Sequence, residues 1–568
     1  MIQYKCKSCK IFGRSSKCDI CGAEAESSSV IYWCEYCKIP IYEEECSLCH
    51  QRGRPLTKDI RPVFPEERLL VEIVRGKPFE FLKESVWNGA GNHYFINGKR
   101  ISFSISKLRD CNADWIREEY NRLAQENTDI YFKNQMELWV KANQRRLEEI
   151  EKEAIAYIRE TCKTYDRRDL LVSFSGGKDS TVTSDLVLRT FHTAQIAHIF
   201  GDTTLEFPQT LDYLERFRRE HPKLLVMTAE NKEKDFMELC RLVGPPSRVM
   251  RWCCTVFKTG AITRKIEAMF RGKTHIVTFY GIRRSESIAR KKYKRETDSP
   301  KITKQTVISP IIDWYDFDVW LYLFTRKIDF NDAYRLGYTR VGCWCCPNNS
   351  VWSEFLSRVH MAEQYQKFRK LLLEFAVQIG KPDPVQYVDG GFWKARQGGN
   401  GMVYAQKSVI SFEACATEDH TFRYQLQRPI SEEFYELFKP FGKLNFSLGN
   451  ARLGEVYVLD QRGEIVLKLA GRKGSDQLKA TIYKNTIAGA KSWKAAEEKI
   501  KCQITKYQMC MGCKACVSVC RHSAIRISDR EGEGVRYQIE DQICVRCGEC
   551  VGHFTAGCYM RKVLSIKR

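Results

Sequence analysis

The 568-residue chain has no uninterrupted apolar run approaching the roughly eighteen residues that a membrane-spanning helix needs, so no membrane partner is expected. Ahead of Cys6, the first candidate metal ligand, there is no room for a secretory signal, and the expectation is a cytoplasmic protein. A G-x-x-x-x-G-K-[ST] string is missing too, which excludes a Walker-type phosphate loop. Acidic residues are in deficit, with 70 Asp and Glu against 92 Lys and Arg, a formal net charge of +22. That excess favours a polyanionic partner.

Cysteine is abundant instead. Twenty-six of them, mostly in C-x-x-C pairs, point to metal sites, because a reducing compartment keeps thiols free. Residues 1–52 hold Cys6, Cys9, Cys18, Cys21, Cys34, Cys37, Cys46 and Cys49, two four-cysteine units with the same inner gap. Each unit can close one tetrahedral thiolate site, so two Zn2+ ions are expected. The pattern resembles a double zinc ribbon, either docking onto nucleic acid or protein or stapling a segment that lacks its own core. His50 directly follows Cys49 and is read as a bystander.

The stretch Val172 to Thr183, V-S-F-S-G-G-K-D-S-T-V-T, joins an apolar run to a segment of helical periodicity. Gly176 and Gly177 permit close backbone approach, Ser175 and Ser180 face outward, Lys178 adds a cation, and Asp179 and Ser180 suit a first helical turn. Together they suit a polyphosphate. The later runs I-A-H-I-F, L-L-V-M-T, I-V-T-F-Y-G and V-I-S-P-I-I alternate with helical segments, including Pro208 to Arg219. The fold class expected is therefore multidomain α/β, centred on a doubly wound parallel sheet with its ligand at the strand C-terminal ends. Asp202 falls at such an end, as a ligand for Mg2+ or nucleoside or as a plain turn residue.

The S-G-G-K-D-S loop resembles that of the adenine-nucleotide α-hydrolase (PP-loop) superfamily, which implies cleavage of ATP between its α and β phosphates. Over about residues 169–349 the strings G-D-T-T-L-E-F-P-Q-T, W-C-C-T-V-F-K-T-G-A-I, G-I-R-R-S-E-S-I-A-R, S-P-I-I-D-W-Y-D-F-D-V-W and G-Y-T-R-V-G-C-W-C-C-P follow in order. With the loop, they resemble the phosphoadenosine phosphosulfate (PAPS) reductase family. That resemblance implies a [4Fe–4S] cluster on Cys253, Cys254, Cys343 and Cys346 beside the nucleotide, with tetrahedral zinc as the competing occupant. Lys258, Arg248 and Arg251 are candidates to offset its charge. Cys345 is an extra thiol, read as a spare neighbour, an alternative ligand or a sulfur-carrying nucleophile. Arg283, Arg284 and Arg290 suit phosphate or sulfate, with Glu286 to orient them. Two departures stand out: Lys178 and both loop glycines are intact, which suits ATP, and the E-C-G-[IL]-H tail that such reductases use is absent. In these respects the chain is similar to ATP-dependent sulfur-transfer enzymes of DNA phosphorothioation and tRNA thiolation.

The remaining expectations are a small β-rich module at 60–112, a helical lead-in at 113–166, the catalytic domain at 167–380, an α+β module at 405–500 with a hairpin loop around 461–463, and a C-terminal unit at 501–568. In the last, Cys510-x-x-Cys513-x-x-Cys516-x-x-x-Cys520 and Cys544-x-x-Cys547-x-x-Cys550, then Cys558, resemble a two-cluster bacterial ferredoxin. The resemblance implies one cluster on Cys510, Cys513, Cys516 and Cys558 and another on Cys544, Cys547, Cys550 and Cys520. Three [4Fe–4S] clusters, two Zn2+ and Mg2+ with ATP or a sulfonucleotide are thus expected. Five thiolate sites at about −2 each would lower the net charge to about +12. The function expected is iron–sulfur enzymology on an adenine nucleotide. One form is adenylation of an acceptor, nucleic acid among the candidates, followed by sulfur transfer from a donor. Another is electron-donor-coupled reduction of a sulfonucleotide to sulfite. The non-enzymatic alternative is a metal-rich protein that binds nucleic acid or senses redox state.

Overall fold

The cysteine-rich N-terminal segment forms two small antiparallel sheets, one of β1 (Tyr4–Cys6), β2 (Phe12–Gly13) and β3 (Ala25–Ser27), the other of β4 (Ile31–Cys34), β5 (Ile39–Ile41) and β6 (Arg54–Thr57). The computed structural model describes residues 4–6, 9, 12–13, 20–21, 25–27, 30–89, 91–231, 235–248, 251–273, 275–287, 290–298, 305–395, 411–510, 515–530 and 534–552. The second sheet is no appendage. Its Ile31, Trp33, Ile39 and Ile41 are buried in the same core as Trp87, Trp139 and Phe317.

Next comes a four-stranded antiparallel sheet in the order β10-β9-β8-β7, made of β7 (Ile60–Pro62), β8 (Val86–Gly89), β9 (His93–Ile96) and β10 (Lys99–Arg100). Between β7 and β8 the chain forms helix α1 (Pro65–Val74), where partial alternation in the sequence suggests strand from Leu69 onward. Helix wins because Pro65 opens the first turn, Glu66 and Glu67 sit at its positive end, and Leu69, Leu70 and Ile73 are all buried. Helices α2 (Ala113–Leu123), α3 (Ile130–Ala142) and α4 (Gln144–Thr161) then lead to the central domain.

That domain runs β11 (Leu170–Ser173), α5 (Lys178–Phe191), β12 (Ala197–Gly201), α6 (Pro208–Glu220), β13 (Val226–Ala229), α7 (Phe236–Val243) and α8 (Gly260–Met269). It continues with β14 (Ile276–Tyr280), β15 (Glu296–Asp298), β16 (Gln305–Ile308) and α9 (Asp316–Arg326). The sheet order is β13-β12-β11-β14-β16-β15, with every pair parallel except β15 with β16. The chain winds outward from β11 through β12 and β13, then returns to β11's other side with β14. The crevice between the β11 and β14 ends is therefore the topological switch point, where such sheets bind ligands.

Two helices, α10 (Val351–His360) and α11 (Ala362–Gln378), close the domain. Residues 411–482 form a six-stranded antiparallel sheet with the expected hairpin turn, in which Gly463 has φ 80°. It shares one core with the C-terminal hairpin Ile525–Arg530 and Gly534–Ile539. Among the described residues no helix is long and apolar enough to cross a membrane.

Candidate functional site at the switch point

Strand β11 is followed by Ser175-Gly176-Gly177, and α5 starts at Lys178 without a side-chain N-cap. Gly176 has φ +68°, and a Cβ there would lie 2.9 Å from Thr210 Cγ2, so glycine is required on both counts. The loop is held from below. Asn331 Nδ2 donates to the Gly176 carbonyl (3.1 Å) and to Thr210 Oγ1 (2.9 Å), Lys178 N donates to Tyr334 Oη (3.0 Å), and Ser175 N donates to Ser180 Oγ (3.1 Å). From β14, Gly281 packs directly on the start of α5. Its virtual Cβ is 2.5 Å from the Asp179 carbonyl carbon, a closeness only glycine allows.

Two cations and two carboxylates meet here. Lys178 Nζ lies 3.1 Å from Asp179 and 3.3 Å from Asp316, at the start of α9. Arg283, just after β14, pairs with Asp179 through Nε and with Asp316 through Nη2 at 2.7 Å. Burial opposes the charge on Lys178, but Asp179 and Asp316 outweigh it and hold the ammonium above its ordinary range. For Asp179 burial is again the largest effect, and Arg283 and Lys178 overcome it to keep the carboxyl low. Asp316 is held low in the same way, by Lys178 and then Arg283. All four groups therefore stay charged. They can exchange carboxylate for phosphate at the cations while freeing hard oxygens for Mg2+.

A cavity of about 270 Å3 opens onto three of these four groups, lined by Lys178, Arg283, Asp316, Glu286 and Arg340 on one side, with Asp179 outside its lining. The other side is Asp59, Arg61 and Asn88 of the β7–β10 module, which the sequence assigned no chemistry. The three arginines of G-I-R-R-S-E-S-I-A-R separate. Arg283 lies 2 % exposed in the site, Arg284 pairs with Asp313, and Arg290 pairs with Glu286. Asp202 does not line the cavity. Its carboxylate accepts the Thr204 N–H at 2.7 Å in the turn after β12.

That turn leads to the central cysteines. Thr203 Oγ1 is 3.3 Å from Cys343 Sγ, Glu206 bridges to Cys343 through the backbone, and Trp344 N donates to the Leu205 carbonyl at 3.0 Å. Cys253 and Cys254 come from the other loop. Their thiols share a hydrogen bond, which with burial keeps the Cys253 thiol well above its ordinary range, and Cys343 and Cys345 add to the effect. Cys254 and Cys343 also interact with Lys258, and Cys346 with Cys254. An all-sulfur donor set drawn from two loops has the donor chemistry of an iron–sulfur cluster, and among the described residues it does not meet the 4.8 Å mutual spacing that the N-terminal four show for a single ion. Cys345 is buried and lines a separate small cavity with Trp344, Phe368, Val388 and Trp393.

At the N-terminus the Sγ atoms of Cys34, Cys37, Cys46 and Cys49 all lie within 4.8 Å of one another, a spacing that suits one tetrahedral ion. His50 is apart from them, paired with Glu45 at 3.4 Å. Of the other unit, Cys18 and the Cys6 side chain lie outside the described residues. At the C-terminus Cys520, Cys544, Cys547 and Cys550 line one pocket, the grouping that the ferredoxin resemblance implies. Cys510 and Cys516 both flank Tyr537, whereas Cys513 and Cys558 lie outside the described residues. The donor chemistry fits a cluster in that pocket.

Residues 169–349 match the phosphoadenosine phosphosulfate reductase domain, and residues 509–553 match a 4Fe-4S dicluster domain. An uncharacterized protein of Methanocaldococcus jannaschii is 32 % identical over 259 residues, 45 % of this chain and 52 % of its own length. A second from that organism is 31 % identical over 266 residues, 46 % of this chain and 61 % of its own length, so the chain spans little more than half of these relatives. The adenosine 5'-phosphosulfate reductase of Anoxybacillus flavithermus is 29 % identical over 185 residues, 31 % of this chain and 72 % of that enzyme. Among solved structures, the PAPS reductase of Candida auris in its phosphate complex covers 36 % of this chain and 97 % of its own, at 18 % identity and a TM-score of 0.27. The chain thus contains a region that matches the phosphoadenosine phosphosulfate reductase domain, followed by one that matches a 4Fe-4S dicluster domain and preceded by a four-cysteine unit consistent with a zinc ribbon.

Proposed function

We propose that the chain is an ATP-dependent enzyme that adenylates an acceptor and then transfers sulfur to it. The observation that carries this reading is Lys178, buried in an intact S-G-G-K-D-S loop at the switch point and faced by Arg283. An acceptor oxygen attacks the α-phosphorus of ATP, the bond from that phosphorus to the bridging oxygen breaks, and pyrophosphate leaves. Lys178 and Arg283 stabilise the charge that gathers on the departing oxygens, and Asp179 and Asp316 supply oxygen ligands for Mg2+. A sulfur nucleophile then attacks the activated carbon and AMP departs. Cys253, Cys254, Cys343 and Cys346 would hold a cluster that supplies one-electron chemistry beside the nucleotide. Cys345 is a candidate sulfur carrier, and the basic chain favours a nucleic-acid acceptor in the cytoplasm.

A second reading, reduction of a sulfonucleotide to sulfite, draws on the relatives named as adenosine 5'-phosphosulfate reductases. Both readings gain from one contact, in which the helix Ala515–Val519 of the dicluster domain packs against α8 and the 254–259 turn that begins with Cys254. Anaerobic incubation of the full chain with a reductant, total RNA as the acceptor, sulfide as the sulfur source and either MgATP or a sulfonucleotide separates them. Pyrophosphate and AMP from ATP are expected; sulfite from the sulfonucleotide, with ATP untouched, selects the second reading.

A further inference from the structure

Shortly after Arg283 the chain runs Arg290-Lys291-Lys292-Tyr293-Lys294-Arg295, and the structure divides these residues into two sets. The arginines are paired, Arg290 with Glu286 and Arg295 with Glu153, as Arg284 is with Asp313. They also pin the segment. Arg284 Nε donates to the Tyr293 carbonyl (3.0 Å), Arg295 Nη2 donates to the Pro310 carbonyl (2.6 Å), and Ser309 N donates to the Arg295 carbonyl (2.9 Å). The Arg295 guanidinium lies 3.6 Å over the Tyr157 ring. Lys291, Lys292, Tyr293 and Lys294 are exposed instead, and among the described residues none of the three lysines forms an ion pair. Tyr293 keeps 47 % of its surface open to solvent.

This ledge adjoins the mouth of the Lys178 cavity. Glu286 lines the cavity, anchors Arg290 and lies 3.9 Å from Arg340, a second lining residue whose side chain is 61 % exposed. Tyr293 and Arg340 both act electrostatically on Arg290, and Arg340 acts on Cys346 as well, so ledge, cavity mouth and central cysteines are neighbours. Within the site Lys178 and Arg283 are balanced by Asp179 and Asp316, whereas at the mouth Arg290 and Arg340 share the one carboxylate of Glu286 before the three lysines follow. Cations around an exposed ring fit a chain of phosphates with bases between them, the lysines taking phosphodiesters and the ring taking the face of a base. A free nucleotide in the cavity does not use residues 291–294, because none of them lines it. A duplex keeps its base faces stacked on one another and leaves Tyr293 without a partner.

We propose that residues 290–294 are a docking ledge for a single-stranded nucleic acid, which leads an unpaired nucleotide past Arg340 towards the phosphate loop and Cys346. The inference rests on the reading that the acceptor is a nucleic acid. The test is fluorescence anisotropy of a labelled single-stranded RNA oligonucleotide with the full chain, purified anaerobically, at several salt concentrations. Tyr293→Ala is expected to weaken binding about 5- to 150-fold, the loss of one stacked base, with the salt dependence unchanged. Lys291→Gln, Lys292→Gln and Lys294→Gln combined should lower the slope of log affinity against log salt by about 2, since each phosphate contact on a single strand contributes about 0.7. Both variants should bind MgATP as the wild type does. No binding of the strand by the wild type, equal affinity in the wild type and both variants, or a duplex of the same sequence bound as tightly overturns the proposal. If the strand binds through these residues and no pyrophosphate forms from MgATP, the ledge stands and the adenylation reading falls. If pyrophosphate forms with RNA as acceptor while both variants match the wild type in RNA affinity, the reading stands and the ledge falls.

Discussion

At the scale of single residues, identical side chains in one short string carry unlike tasks. In D-W-Y-D-F-D, Asp313 pairs with Arg284, Asp316 enters the candidate site, and Asp318 is buried against Arg146 at 2.9 Å. Spacing in sequence shows three carboxylates near a helix start but not which one turns inward, since that depends on where β7 and α4 pack. The same holds for Arg283 against Arg284. Lys178 was legible, because a loop of fixed local geometry determines its own surroundings. A different residue, His198 near the start of β12, leads to a prediction about pH. It is fully buried between Ser184 Oγ (2.7 Å) and the Ile196 carbonyl (3.0 Å), and burial pushes it from 6.5 down to about 4. His360 is pushed down to about 4 for the same reason. A histidine kept neutral by the fold contributes stability that is complete above its unfolded value and is lost as pH falls towards the folded one. The free energy of unfolding, read from denaturant midpoints, should therefore fall between about pH 6.5 and pH 4, by up to about 3 kcal/mol for each histidine, and His198→Asn should flatten that slope. A wild-type midpoint level across this window would contradict the account.

At the scale of elements, strands β11, β12, β14 and β16 were each readable as a short apolar run, because a parallel strand covered on both faces has no polar side to show, and the edge strand β13 was readable although three of its four residues are only half-buried. Helix α1 was not. Its buried Glu67 and Glu72 break the apolar pattern, and the partners that make them tolerable, Arg61 and Arg68, lie on other turns or strands. Docking of the β7–β10 module over the phosphate loop was equally hidden, since it depends on the Asp59 cap of α9 and on contacts between segments about 250 residues apart. One close approach between elements is testable alone. Gly281→Ala would place a methyl 2.5 Å from the Asp179 carbonyl and push α5 away from β14. We expect a loss of about 1–3 kcal/mol in thermal or denaturant unfolding and a larger loss of nucleotide affinity than of stability. Unchanged affinity in a folded variant would show that the start of α5 does not shape the pocket.

At the scale of the whole molecule, the cysteine sets are joined to the central domain and do not hang from it. The second cysteine unit shares a core with Trp139 and Phe317, and the dicluster helix Ala515–Val519 rests on the segment that bears Cys254. Cysteine rhythm alone revealed which residues form sets. Which sets face one another is a property of packing that no spacing encodes. Cys46→Ser should accordingly lower the metal content by one zinc equivalent and also lower the melting temperature of the central domain, as read by tryptophan fluorescence. Loss of zinc with the melting curve unmoved would make the unit an independent appendage.

The central claim is that Lys178 makes this pocket one that splits ATP between its α and β phosphates. The direct measurement is pyrophosphate formed from MgATP by the anaerobically purified full chain supplied with total RNA as acceptor, wild type beside Lys178→Ala. Loss of one such electrostatic contact costs about 100- to 1000-fold in rate. The account predicts release by the wild type and a fall of that size in the variant, with its fold intact by circular dichroism. Equal release from both proteins, or none from the wild type while a sulfonucleotide is turned over, would contradict it.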